Sequence, residues 1–213
     1  MGSSEHAADM KKPAAVLLIG AVLIGAGVVP ASAIPARTAA VPAIWPSASA
    51  PWRTAAQTAV SYAGRLGFAH PVLIRYLTTP STATMTIAPQ RGGPTTVISE
   101  QFRSGRWFVT GTAASTIHVA DPAPGQWIGS TIRLRGWAQG FEGQLRAFAM
   151  SGGVVVAETV AHCGATSLGP LTATLPVGTH PGSAVVLYVE ERSARDGSTI
   201  AASVIATVGI ALT

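Results

Sequence analysis

Beyond residue 12 the chain contains no lysine, and the whole of its 213 residues holds a single cysteine, Cys163. Charged residues make up only 11% and aromatics 6%, against roughly 25% charge in an average soluble domain. So little charge excludes a disordered polyelectrolyte, a coiled coil and a basic tail. One cysteine excludes an internal disulfide, so any folded part must be held by its core. The arginines are also not gathered on one element. Arg53, Arg65, Arg75, Arg91, Arg103 and Arg106 are scattered singly, with one alternating pair at Arg133 and Arg135. A nucleic-acid binder concentrates its basic residues beside base-stacking aromatics, so no nucleic-acid partner is expected.

Glycine and proline, with 23 and 15 residues, give a turn-rich balance that favours short strands over long helices. The net charge of +5 falls entirely after residue 33, where twelve arginines face seven acids. Before that point Lys11 and Lys12 precede an uncharged apolar run from Ala14 to Val29, ended by Pro30 and by Ala31-Ser32-Ala33. That order is the pattern of a signal peptide with a small-x-small cleavage site. Sixteen apolar residues are short for a permanent span, which needs about 20. Residues 1–33 are therefore read as a signal peptide cleaved after Ala33 or as a membrane anchor through residues 14–29. Either way the remainder is expected to be extracytoplasmic. A lipoprotein is excluded, because no cysteine lies near the cleavage point.

Residues 34–51 carry four prolines among alanines and serines and read as a semi-rigid linker, with Trp45 a stray aromatic. From residue 52 the periodicity changes. Trp52, Ala55, Ala56, Ala59, Val60 and Ala63 recur at helical spacing up to Gly64 or Gly67. Four strand-like runs follow, at 72–78, 83–88, 95–102 and 106–111. Residues 52–113 thus form a small α+β domain, too short to bury much core alone, with Gly111–Ser115 as a hinge. Residues 114–213 are all strand. Seven runs, at 117–119, 132–135, 144–150, 154–160, 171–175, 184–190 and 203–210, are spaced as in a β-sandwich. Along the second of them Arg133 and Arg135 alternate with Ile132 and Leu134 and should face water.

The catalytic signatures fail one by one. His70, His118, His162 and His180 are isolated, without zinc-ligand spacing. No Gly-x-Ser-x-Gly elbow is present, and Gly92-Gly93 and Gly152-Gly153 read as turns because no Gly-Lys-Ser/Thr follows. Cys163 and His162 are neighbours in sequence and so point to opposite faces of a strand. No catalytic residue, cofactor or metal is expected. The binding candidates are the aromatics Trp127, Trp137 and Tyr188, which read either as core or edge-packing residues, as large aromatics usually are, or as surfaces able to stack on a glycan or anchor a protein, together with Phe141 and Glu142 of the Gly-Phe-Glu-Gly segment. Glu142 reads either as a ligand for a cation or sugar hydroxyl, or as a cap on backbone N–H groups while Phe141 fills the end of the sandwich.

The run I-H-V-A-D-P-A-P-G-Q-W-I-G-S-T-I-R-L-R-G-W-A-Q-G-F-E-G, residues 117–143, resembles the opening of the bacterial spore-germination immunoglobulin-like domain, also described as the GerMN-associated domain. The Leu171–Pro176 and Gly182–Val189 strands and the Arg195-Asp196-Gly197 turn match as well, so the resemblance spans about residues 116–210. It implies a noncatalytic, extracytoplasmic β-sandwich. Nothing upstream resembles the GerMN domain itself. The expected architecture is mainly β: an immunoglobulin-like β-sandwich preceded by a small α+β domain and the signal or anchor helix. The expected function is an exported, noncatalytic binding or scaffolding module of the cell envelope, with envelope proteins or cell-wall glycan as partners. The alternatives are a hydrolase or transferase of envelope polymers, or an accessory component of an export or germination-type assembly.

Overall fold

A computed structural model describes residues 41–45, 54–89, 93–178 and 182–209. The proposed signal or anchor segment and most of the linker lie outside the described residues. Among the described residues, no helix is long and apolar enough to cross a membrane.

The one α-helix, α1 (Ala55–Arg65), starts where Thr54 accepts a hydrogen bond from the Gln57 amide at 3.3 Å, which satisfies one of the free N–H groups of the first turn. Its buried face is Ala55, Thr58, Ala59, Tyr62 and Ala63. The face expected from sequence included Ala56 and Val60, and both are exposed. The helix turns instead toward Tyr62, whose ring packs at 5.7 Å against Trp45. Trp45 is therefore not a stray linker aromatic. Segment 41–45 is laid on the next unit, with the Ile44 amide donating to the Val109 carbonyl and the Val109 amide to the Trp45 carbonyl.

Four antiparallel strands follow as a meander: β1 (Val72–Thr78), β2 (Thr82–Ala88), β3 (Thr96–Arg103) and β4 (Arg106–Ala114). On β1 only Leu73 reaches the core, while Val72, Ile74, Tyr76 and Leu77 are exposed. The remaining strands are β5 (Ile117–Asp121), β6 (Trp127–Ile128), β7 (Thr131–Ala138), β8 (Gln144–Ser151), β9 (Val154–His162), β10 (Gly169–Pro176), β11 (Ala184–Arg192) and β12 (Thr199–Gly209). They make two layers. One is β5–β7–β10; the other is β9–β8–β11–β12, with β6 added parallel to β12. Between the layers lie Ile117, Ile132, Leu134, Leu145, Leu171, Leu175, Val185, Leu187 and Val189. Arg133 and Arg135 face water, as the alternation required.

Gly111–Ser115 is no hinge. β4 runs through to Ala114, pairs Gly111 and Thr112 with Ile205 and Val204 of β12, and is cross-linked further at the Thr112 end of that pairing. The Thr112 hydroxyl donates to the Ala202 carbonyl at 2.8 Å, and the Ala114 amide donates to the Ser203 hydroxyl at 3.0 Å. A second core lies on the far side of the β8–β11–β12 layer. There Phe148, Tyr188, Ala202 and Val204 pack with Ala59, Tyr62, Met85, Ile87, Ile98 and Val109. The layer is thus buried on both faces, which is why β12 reads as a continuous apolar run and not as an alternation.

One ionisable group is buried beside this second core. Glu100, on the same face of β3 as Ile98, is buried with neither carboxylate oxygen hydrogen-bonded among the described residues. Burial pushes its carboxyl up to about 8. An acid whose folded value is raised binds its proton more tightly in the folded state, so stability falls as pH rises from the ordinary carboxylate range to about 8.

Two outcomes are expected. Glu100→Gln leaves stability near pH 4 almost unchanged and raises it at pH 8, with an upper limit of about 4 kcal/mol, in denaturant titrations run across pH. Phe148→Ala lowers stability by about 3–5 kcal/mol. It does so in a single unfolding transition followed by both calorimetry and tryptophan fluorescence, because its ring belongs to the core that joins the two units.

Candidate functional site

The Gly-Phe-Glu-Gly segment forms a tight turn between β7 and β8, pinned from two sides. The Cys163 amide donates to the Gly143 carbonyl at 2.9 Å, and the Gly140 amide donates to the Gly164 carbonyl at 3.0 Å. Glu142 adopts φ +58°, the left-handed region that few L-residues visit. Its carboxylate points to solvent and makes no hydrogen bond to a described residue, so it does not cap the turn. That role belongs to Glu191 of β11, whose Oε1 accepts from the Phe141 amide at 3.0 Å. Burial raises the Glu191 carboxyl, and this hydrogen bond partly offsets the rise. Phe141 does not fill the sandwich end either; its ring is 62% exposed.

Phe141 forms one wall of a cleft of about 480 Å³ that Arg146, Glu158, Glu190, Glu191 and Arg192 also line. The Arg146 guanidinium holds both oxygens of Glu158, at 2.7 and 3.1 Å, and reaches Glu190 Oε1 at 3.0 Å through its third nitrogen. Arg192 Nε donates to the same Glu190 oxygen at 2.8 Å. Glu190 is 3% exposed, so two guanidinium groups meet a carboxylate that water scarcely reaches. The Arg146 guanidinium also lies 4.4 Å from the centre of the Phe148 ring. Its hydrogen bonds hold the Glu158 carboxyl below the usual range, and Glu158 in turn holds the Arg146 proton more firmly. Both carboxylates are thus committed to arginine and are not a free acid–base pair of the glycosidase kind. Among the described residues no three His, Cys, Asp or Glu side chains are grouped to hold a metal.

The other candidates lie apart from this cleft. Trp127 opens β6 and is 48% exposed, beside a shallow opening with Asp121, Gln126, Ser130 and Arg133. Trp137, on the outer face of β7, is 57% exposed and lies in register with His118 and Pro170. Tyr188 takes the packing position that was the other reading of these aromatics. It is 9% exposed and stacks on Phe148 with ring centres 4.7 Å apart, in the second core. Its hydroxyl environment is buried enough to raise the phenol. The reason is the covering helix: nothing in the AVVLYVE run shows that the outward side of that strand has a layer above it. Cys163 is half-buried against the sandwich core, where burial and the charge of Glu191 raise its thiol. His162 is exposed on the opposite side.

Sequence reasoning missed the Arg146–Glu158–Glu190–Arg192 cluster. The available signal was the Glu190-Glu191-Arg192 charge run closing an apolar strand. For Arg146→Ala we expect a loss of about 3 kcal/mol, because it leaves the buried Glu190 with only the half-exposed Arg192 and also releases Glu158. Arg192→Ala, at a half-exposed partner, is expected to cost under about 1 kcal/mol. Chemical denaturation of the two variants beside the parent chain measures the difference.

No curated protein and no solved structure gives a significant match. Residues 116–198 match the family model of the immunoglobulin-like domain of bacterial spore germination.

Proposed function

We propose that the chain is an exported, noncatalytic binding and scaffolding module of the cell envelope. The observation that carries this reading is the set of large apolar side chains left exposed on a fold that buries their neighbours. On the sandwich these are Trp127, Trp137 and Phe141; on the smaller unit they are Val72, Ile74, Tyr76 and Leu77 of β1. Singly exposed apolar residues need no explanation, but several on one strand do. β1 is an edge strand with β2 as its paired neighbour. Its outer N–H and C=O groups and apolar side chains suit an added strand from a protein partner. The match at residues 116–198 supports a binding role for the sandwich, and the Lys-Lys, apolar, Ala-Ser-Ala order of residues 11–33 supports export.

In-cell crosslinking of the tagged full-length chain, followed by mass spectrometry, tests the reading. We expect a small reproducible set of envelope proteins with crosslinked peptides mapping to β1. Ile74→Lys together with Leu77→Lys should reduce that capture at least several-fold while shifting stability by less than about 1 kcal/mol, as surface substitutions do. Capture that is unchanged by the pair, or that returns cytoplasmic proteins alone, would overturn the reading. The same digest reports the mature N-terminus: Ile34 means cleavage, and Met1 or Gly2 means retention as an anchor.

A further inference from the structure

The outer face of the β5–β7–β10 layer carries a basic row. Alternation places Arg133, Arg135 and Trp137 of β7 on the same side, with successive residues about 7 Å apart. Their register partners on β10 are Thr174, Thr172 and Pro170, and His118 of β5 lies opposite Trp137. The close fit of β5 against β7 depends on Gly136, where a Cβ would stand 1.9 Å from the His118 carbonyl oxygen. β9 meets β10 through one pair, Thr172 with His162. Where the strands part, a groove of about 450 Å³ is lined by Arg133, Arg135, Thr159, His162, Thr172 and Thr174.

Among the described residues neither arginine forms an ion pair. Every ion pair among the described residues lies in the other cleft, on Arg146 or Arg192. Asp121, the register partner of Arg135, accepts from Gln126 Nε2 at 3.0 Å through Oδ1 and makes no ion pair with either arginine among the described residues. Glu158 of β9 is held by Arg146. Two guanidinium forks, a row of threonine hydroxyls and an exposed indole thus share one open face.

We propose that this face binds an anionic polysaccharide laid along β7 and β10. Arg133 and Arg135 take its acidic groups in forked hydrogen bonds, the threonine hydroxyls meet its hydroxyls, and Trp137 stacks on a sugar ring. This rests on the binding-module reading above and names a ligand for the sandwich. A protein partner fits the face less well. Stable protein interfaces bury an apolar centre within a polar rim, and here Trp137 is flanked by arginine, histidine, threonine and proline. A hydrated, charged chain needs no such centre.

The test uses the full-length chain and five probes: polygalacturonate, a phosphomannan, neutral dextran, polyglutamate and anionic phospholipid vesicles. We expect binding to polygalacturonate or phosphomannan that weakens with added salt and no binding to dextran. Arg133→Gln with Arg135→Gln should weaken it at least tenfold, and Trp137→Ala at least fivefold, with Trp137→Phe retaining most of the affinity and all variants melting with the parent. Equal binding to polyglutamate or vesicles with no effect of Trp137→Ala overturns the proposal in favour of unspecific charge attraction. Failure of both glycans to bind overturns it outright. If the glycans fail while β1-dependent protein capture persists in these variants, this inference falls alone; if capture fails as well, the binding-module reading falls with it.

Discussion

The layer β8–β11–β12 has apolar residues on both faces, and the rest of the architecture follows from having to cover both. One face is small and branched, with Ala147, Ala149, Val185, Leu187, Val189 and Ala201 closing against β5, β7 and β10. The other is larger and aromatic, with Phe148 and Tyr188 beside Ala202 and Val204. A sandwich domain standing alone would leave that second face in water, where two stacked rings and their neighbours forgo several kcal/mol of burial. The helix and meander supply the missing layer. They benefit in turn, since some 60 residues with one short helix bury too little surface to hold together unaided. β4 is the physical seam, pairing with β3 on one side and with β12 and segment 41–45 on the other.

This arrangement also sorts the charges. Two residues along β8 and β11 from Phe148 and Tyr188, the shared core gives way to Arg146 and Glu190. A carboxylate at that depth is tolerable only with partners, and Arg146 and Arg192 supply them. Glu158 and Glu191 are drawn in as well, one by Arg146 and the other by the Phe141 amide. Three of the six acids in residues 114–213 meet at this junction with two of the five arginines. Arg133 and Arg135 lie away from it, exposed on the outer side of β7.

Much of the β organisation was legible because a strand with one wet face alternates. Ile132-Arg133-Leu134-Arg135 gave both the strand and the direction of its side chains, and the runs at 144–150, 154–160 and 184–190 lie within strands of the structure. Where both faces are covered, alternation carries no direction. Tyr188 and Phe148 were unreadable for that reason: their cover comes from α1 and β2–β4, far away in sequence. Gly111 suggested a hinge because glycine ordinarily interrupts strands, yet its lack of a side chain is what admits the β12 backbone, with a Cβ there standing 3.2 Å from the Val204 carbonyl. Ion pairing across 44 residues, as between Arg146 and Glu190, leaves no local pattern at all. The Gly-Phe-Glu-Gly turn was visible as a turn, but which carboxylate caps it was decided by the approach of β11.

The matched region ends at residue 198, one residue before β12 begins. Yet β12 pairs with β11 along its length, contributes Ala201 to the sandwich core, and presents Ala202 and Val204 to the shared one. Removing it would open the β11 edge and uncover both cores at once. β12 is also the strand that β4 joins, through Gly111 and Thr112 and through the Ala202 and Ser203 hydrogen bonds. The physical unit is therefore larger than the region recognised by similarity: it needs β12 to close the sandwich and the helix and meander to cover it. A ligand or partner held at β7 or β1 would accordingly bind one cooperative body, with the two surfaces held at a fixed separation by the layer buried between them.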